Sequence, residues 1–140
     1  MRIYFKILFL IIAFNSFAQK ELSIIGNSVG FSSVSLQEAR SIFKGKYNYW
    51  QNKSKVILVL PSTKNANSLN SSKIIYGTTP DGVKKYWLSL VFQGRASSPI
   101  FFDTDKEIIE YISNNEGAIG IISTEQSKNV SDKIKIILGD

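Results

Sequence analysis

Val56-Ile57-Leu58-Val59-Leu60 is an unbroken apolar run that ends at Pro61. Such a run reads as a strand buried on both faces, and that requires layers on either side of its sheet. The run therefore calls for a layered arrangement, and the element order below makes that a layered α/β domain. Pro61 has no N–H to give to a central ladder, so the strand stops there. The polar stretch Ser62-Thr63-Lys64-Asn65-Ala66-Asn67-Ser68 follows and opens a helix. In open α/β sheets, ligands sit at the carboxyl ends of strands, beside helix N-termini whose unpaired N–H groups favour anions. This loop is where a ligand is expected.

Other segments punctuate clearly. Leu22–Ile25, Ala118–Ile122 and Ile134–Leu138 read as strands, and Gly120 within the second implies close backbone approach. Gly26-Asn27-Ser28 reads as a turn, with a second wall of a cleft as the alternative. Ser35-Leu36-Gln37-Glu38 and Thr104-Asp105-Lys106-Glu107 are capping boxes that start helices, the first of which stops at Gly45. A modest helix is expected from Ala66 to Tyr76. A clearer one starts at Thr79-Pro80, with a core stripe of Val83, Tyr86, Trp87, Leu90 and Val91 before Gly94. Arg95–Phe102 and Ser123–Asp132 read as loops. Tyr47, Tyr49 and Trp50 lie in an aromatic loop whose expected role is packing over a core edge, with stacking on a sugar or base as the alternative. The expected order is β-α-β-α-α-α-β-loop-β, around a mixed or mainly parallel sheet.

Absences narrow the chemistry. The 140 residues contain no cysteine and no histidine, which excludes thiolate zinc sites and triads built on either residue. The carboxylates Asp105, Glu107, Glu110 and Glu116 lie on or beside a capped helix, and no pair is placed for acid–base work. No enzyme activity, cofactor or metal is expected. Arg2 and Lys6, the apolar run Ile7–Phe14 and the small residues of Ser16-Phe17-Ala18 read as a signal peptide over residues 1–18. A membrane span would need about 20 apolar residues. The expected product is a single domain over 19–140, periplasmic or secreted and not membrane-spanning. Its basic residues fall from 17 to 15 against 11 acidic ones, so the formal charge drops from +6 to +4. Scattered lysines on an exported chain argue against nucleic acid as a partner.

Several stretches together resemble a known family: Leu36–Phe43 with Lys44-Gly45, Trp50, Tyr86-Trp87, Phe92-Gln93-Gly94-Arg95 with Pro99, and Glu116-Gly117-Ala118-Ile119-Gly120-Ile121. Their order and spacing are similar to those of phosphate ABC transporter substrate-binding proteins, in particular to a short single-lobe member. The resemblance implies a layered α/β sandwich of the periplasmic binding protein-like class II type, a single lobe with hinge strands. It also implies an exported solute-binding protein for inorganic phosphate or a similar small anion, working with an envelope transporter or sensor protein. In that family the anion is held partly by an Arg and a Ser-Gly-Thr turn. Here Leu60–Ser68 is the matching stretch, with Pro61 at the Arg position and Asn65-Ala66-Asn67 at the turn. The groups left to bind are Ser62, Thr63, Asn65, Asn67 and Ser68, with charge from Arg95 or Lys64. The missing Arg keeps open a second reading, a non-catalytic interaction module of the cell envelope that has lost ligand binding.

Overall fold

A computed structural model describes residues 22–139, so the leader expected over residues 1–18 lies outside the described part. Six strands form one sheet: β1 (Leu22–Gly26), β2 (Ser33–Ser35), β3 (Ile57–Pro61), β4 (Ile100–Phe102), β5 (Ala118–Ser123) and β6 (Lys135–Gly139). Their order across the sheet is β2-β6-β1-β5-β3-β4. The sheet is mixed. β1 runs antiparallel to both β5 and β6, whereas β2–β6, β3–β4 and β3–β5 are parallel.

Alternation along the central strands fills two cores. On one face Ile24, Leu58, Leu60, Ile119 and Ile121 pack beneath helix α1 (Leu36–Phe43), helix α3 (Pro80–Phe92) and the segment between them. That segment is a helical turn, α2 (Ser68–Ser71), running into a π-helix over Ser72–Tyr76. On the other face Ile25, Val59, Ala118 and Ile122 meet Ile108 and Ile112 of helix α4 (Asp105–Asn114). The apolar runs are continuous in sequence because both faces are covered.

Local signals account for the helix starts. Ser35 Oγ accepts the Glu38 N–H at 3.1 Å, Thr79 Oγ1 accepts the Gly82 N–H at 3.1 Å, and Thr104 Oγ1 accepts the Glu107 N–H at 3.2 Å. The Glu38 carboxylate does not return to its cap; it accepts the Tyr47 hydroxyl at 2.8 Å, so one half of that box serves tertiary packing. At Gly120 an added Cβ would lie 2.9 Å from the Val59 carbonyl oxygen and 2.6 Å from Ile112 Cδ1, which is the close approach expected there. Between α1, the π-helix and α3, the Tyr76 hydroxyl donates to the Phe43 carbonyl and accepts the Trp87 indole N–H at 3.1 Å. Burial holds that hydroxyl well above its ordinary pKa of 10.0.

Three expectations are corrected. Ile100–Phe102, expected as loop, is a short edge strand, and so is Ser33–Ser35, where only the helix cap at Ser35 is expected, because parallel partners in β3 and β6 capture three residues each. Ser123–Asp132 carries a 3₁₀-helix over Thr124–Asn129. The α3 stripe is narrower than its periodicity predicts: Val83 and Trp87 are buried, whereas Tyr86 and Val91 are exposed. Trp50 does pack over a core edge, donating its indole N–H to the Gly117 carbonyl at 2.9 Å, while Tyr49 stays in solvent.

Candidate functional site

The pairing of β3 changes along its length, and this change opens the site. Its ladder with β5 ends at Val59 opposite Gly120, while its ladder with β4 continues to Pro61 opposite Phe102. Pro61 therefore stands where β5 no longer needs an N–H. One residue later the Ser62 N–H donates to the Phe102 carbonyl at 2.9 Å. The chain then turns twice, with Asn65 N–H to the Ser62 carbonyl and Ser68 N–H to the Asn65 carbonyl, both at 3.0 Å.

Side chains fix those turns. Ser62 Oγ donates to Asp103 Oδ1 and accepts the Lys64 N–H at 3.2 Å. Asn65 Oδ1 accepts the Asn67 N–H at 2.8 Å, an Asx turn, and its Nδ2 donates to Asp105 Oδ1 at 3.3 Å and to the Phe102 carbonyl at 3.4 Å. Asn65 is thus committed to holding the loop. Asn67 differs. It is only 4% exposed, stands as the residue before α2 without capping it, and neither its Oδ1 nor its Nδ2 meets a partner among the described residues. A buried amide with both ends unpaired is uncommon, because each unmade bond costs about 1–3 kcal/mol.

Asn65, Ala66 and Asn67 form one wall of a concavity of about 570 Å³. Its other walls are the segments following β4 and β5, including Asp103–Lys106 and Ser123–Gln126. Three helical segments, starting at Ser68, Asp105 and Thr124, begin at its rim. Asp105 ties the walls together: its Oδ2 accepts both the N–H and the hydroxyl of Ser123 at 2.9 Å, while its Oδ1 takes the Asn65 amide. Three carboxylates (Asp103, Asp105 and Glu125) and one ammonium (Lys106) line the space. Among the described residues no group of three or more His, Cys, Asp or Glu side chains is placed to hold a metal ion.

The structure brings together only part of the expected set. Asn65 and Asn67 line the concavity, and Ser68 is buried at the start of α2. Ser62 sits at the loop's entry, bound to Asp103. Thr63 turns to the other side, where it borders a crevice of about 10 Å³ with Ser71, Ser72 and Tyr76. Lys64 is exposed and makes no ion pair among the described residues. Arg95 lies elsewhere. It borders a separate hollow with Lys55–Leu58 and Pro99-Ile100, at the amino ends of β3 and β4, and its guanidinium donates to Gln93 Oε1 at 3.3 Å. Gly26-Asn27-Ser28 is also remote from the loop, since Gly26 pairs with Ile119 at the start of β5 and the Asn27 amide donates to the Ile112 carbonyl. Conversely, Asp103, Ser123 and Thr124 belong to the concavity and were not singled out. The rule that sites lie past the carboxyl ends of strands would have pointed to them, had Ile100–Phe102 been read as a strand.

No family model and no curated protein matches the sequence. Solved structures do match in shape. A possible phosphate binding protein from Planctomyces limnophilus superposes with a TM-score of 0.60 at 13% identity, over 85% of this chain and 41% of that one. PstS from Borrelia burgdorferi superposes with a TM-score of 0.58 at 15% identity, over 85% of this chain and 47% of that one. The chain therefore spans less than half the length of these proteins. No helix among the described residues is long and apolar enough to cross a membrane. The six-stranded mixed sheet with helices on both faces is a periplasmic binding protein-like α/β fold, shared with these two proteins at low sequence identity.

Proposed function

We propose that the chain is an exported solute-binding protein that takes phosphate or a related oxyanion at the Ser62–Ser68 loop, for transport or sensing. The unpartnered Asn67 amide carries this reading. It is a buried donor and acceptor in the wall of a polar concavity, at the carboxyl ends of β3, β4 and β5, where ligands of open α/β sheets bind. The helical starts at the same rim add N–H groups suited to an oxyanion. The fold shared with a possible phosphate binding protein supports the ligand class. Within the loop, Asn67 is the group assigned to the ligand, while Ser62, Asn65 and Ser68 shape its seat.

The carboxylates of the concavity refine the choice. Asp103, Asp105 and Glu125 are acceptors facing one ammonium, so an oxyanion that keeps a proton at neutral pH fits better than one that does not. Hydrogen phosphate meets that requirement and sulfate does not, while phosphate monoesters, with a second pKa of about 6, meet it only in part. The space also exceeds what inorganic phosphate alone would fill, so phosphate esters belong in the test.

The experiment is thermal unfolding of the chain from Gln19 onward, which retains every strand and both apolar cores. Phosphate, pyrophosphate, phosphate esters and sulfate are compared. A ligand at 100 times its Kd stabilises by about 2.7 kcal/mol. A shift with phosphate or a phosphate ester that sulfate fails to match is the expected result. No shift with any anion would overturn the proposal.

A further inference from the structure

We propose that the outer face of α3 is a docking surface for an anionic lipid bilayer, separate from the ligand concavity. At 3.6 residues per turn, Lys84, Leu88 and Phe92 stack along one side of this helix, flanked by Lys85, Val91 and, just past its end, Arg95. The opposite side is the buried one, carried by Val83 and Trp87. The outward side is not the polar surface that such a helix ordinarily shows. Phe92 is 87% exposed and Leu88 56% exposed, with Val91 beside them. None of these residues lines the concavity at the ends of β3, β4 and β5.

The charges on this side are as distinctive as its apolar groups. Lys84, Lys85 and Arg95 are exposed and make no ion pair among the described residues, where the pairs found are Lys46–Glu38 and Lys135–Asp132. Asp81, in the first turn, is the one carboxylate of α3. Lys84 and Lys85 on this 13-residue helix, with Arg95 just past its end, thus surround three solvated apolar side chains without an ion pair among the described residues.

The shape of this surface selects the occupant. A stable protein partner requires about 800 Å² from each side, closely fitted, and three side chains on one convex helix do not supply that. A bilayer demands no fitted shape. It accepts apolar side chains at the headgroup boundary and attracts the cations beside them when its lipids are anionic. The chain from Gln19 onward is itself basic, with 15 basic against 11 acidic residues, so long-range attraction has the same sign. α3 would lie along the surface, leaving the sheet and the concavity outside it.

The test is flotation of the chain from Gln19 onward with vesicles of phosphatidylcholine alone or mixed equally with phosphatidylglycerol, at low and high salt. Binding to the anionic vesicles at low salt, little binding to neutral ones and loss at high salt are expected. Each cation removed should weaken binding about fivefold, and each one reversed by more. Lys84→Glu with Lys85→Glu should therefore lower it by more than tenfold, and Leu88→Ser with Phe92→Ser should reduce it at every salt concentration. All four positions are exposed, so melting curves should show the variants folded. Failure of the unaltered chain to float with anionic vesicles overturns the proposal. So does binding that survives both double variants, or a concentration-dependent dimer that Phe92→Ser abolishes, which would assign the face to a second copy.

Discussion

Replacing Asn67 with leucine separates a ligand-binding amide from a structural one. Its Oδ1 and Nδ2 are buried without partners, and a buried group left unbonded costs about 1–3 kcal/mol. Leucine has the same branched skeleton, with methyl groups in place of the amide oxygen and nitrogen, and apolar replacement of the same shape removes that cost. No cap is lost, since Asn67 makes no side-chain bond to α2. No backbone strain arises either: its φ of −90° and ψ of −2° suit any residue, and its N–H still reaches Asn65 Oδ1. Asn67→Leu should therefore stabilise the ligand-free chain by about 2 kcal/mol, roughly 6–10 °C in Tm for a domain this size. The same variant should lose the stabilisation that phosphate gives the parent chain. Urea unfolding with and without phosphate reads both quantities. A loss of stability greater than about 1 kcal/mol without ligand would show the amide to be structural, and a retained phosphate response would show that another group holds the anion.

Two further outcomes follow from the core. Gly117 has a φ of +84°, and a Cβ there would stand 2.3 Å from the Lys55 carbonyl oxygen, so Gly117→Ala combines left-handed strain with a backbone clash and should cost about 2–4 kcal/mol by urea unfolding. For Tyr76, burial raises the folded-state pKa above the unfolded value of 10.0. The unfolded chain loses that proton first, so the stabilisation is complete below pH 10.0 and is lost as pH rises above it. Tyr76→Phe should show a shallower alkaline decline in unfolding free energy, while losing about 1–3 kcal/mol near neutrality from the unpaired Trp87 N–H and Phe43 carbonyl. An unchanged alkaline slope would contradict the assignment.

The helices were legible because their ends are written in short side chains. Ser35, Thr79 and Thr104 each cap the helix expected of them. The central strands were legible as apolar runs, and Gly120 announced its close contact. The edge strands were not, because Ser33–Ser35 and Ile100–Phe102 owe their form to parallel partners distant in sequence rather than to a pattern of their own. That omission carried over to the site. With β4 read as loop, Asp103 had no strand end to belong to, and Asp105 looked like a helix-start carboxylate rather than a tie between two walls. Local chemistry marked Ser62–Ser68 as polar, yet it could not separate Asn65, spent on its own turn, from Asn67, left unpaired. Arg95 was drawn in by its charge alone, whereas the topology places it at the other end of β3.

The position of β1 has a consequence for how the molecule is made. The first strand of the fold lies between the last two, with Ile24 opposite both Ile121 and Ile136. β1 therefore has no strand to pair with until Ala118–Ser123 and Lys135–Gly139 have been made. Contacts of such long sequence separation form slowly. Until those partners exist β1 is an unpaired apolar strand, and that interval exposes it to aggregation.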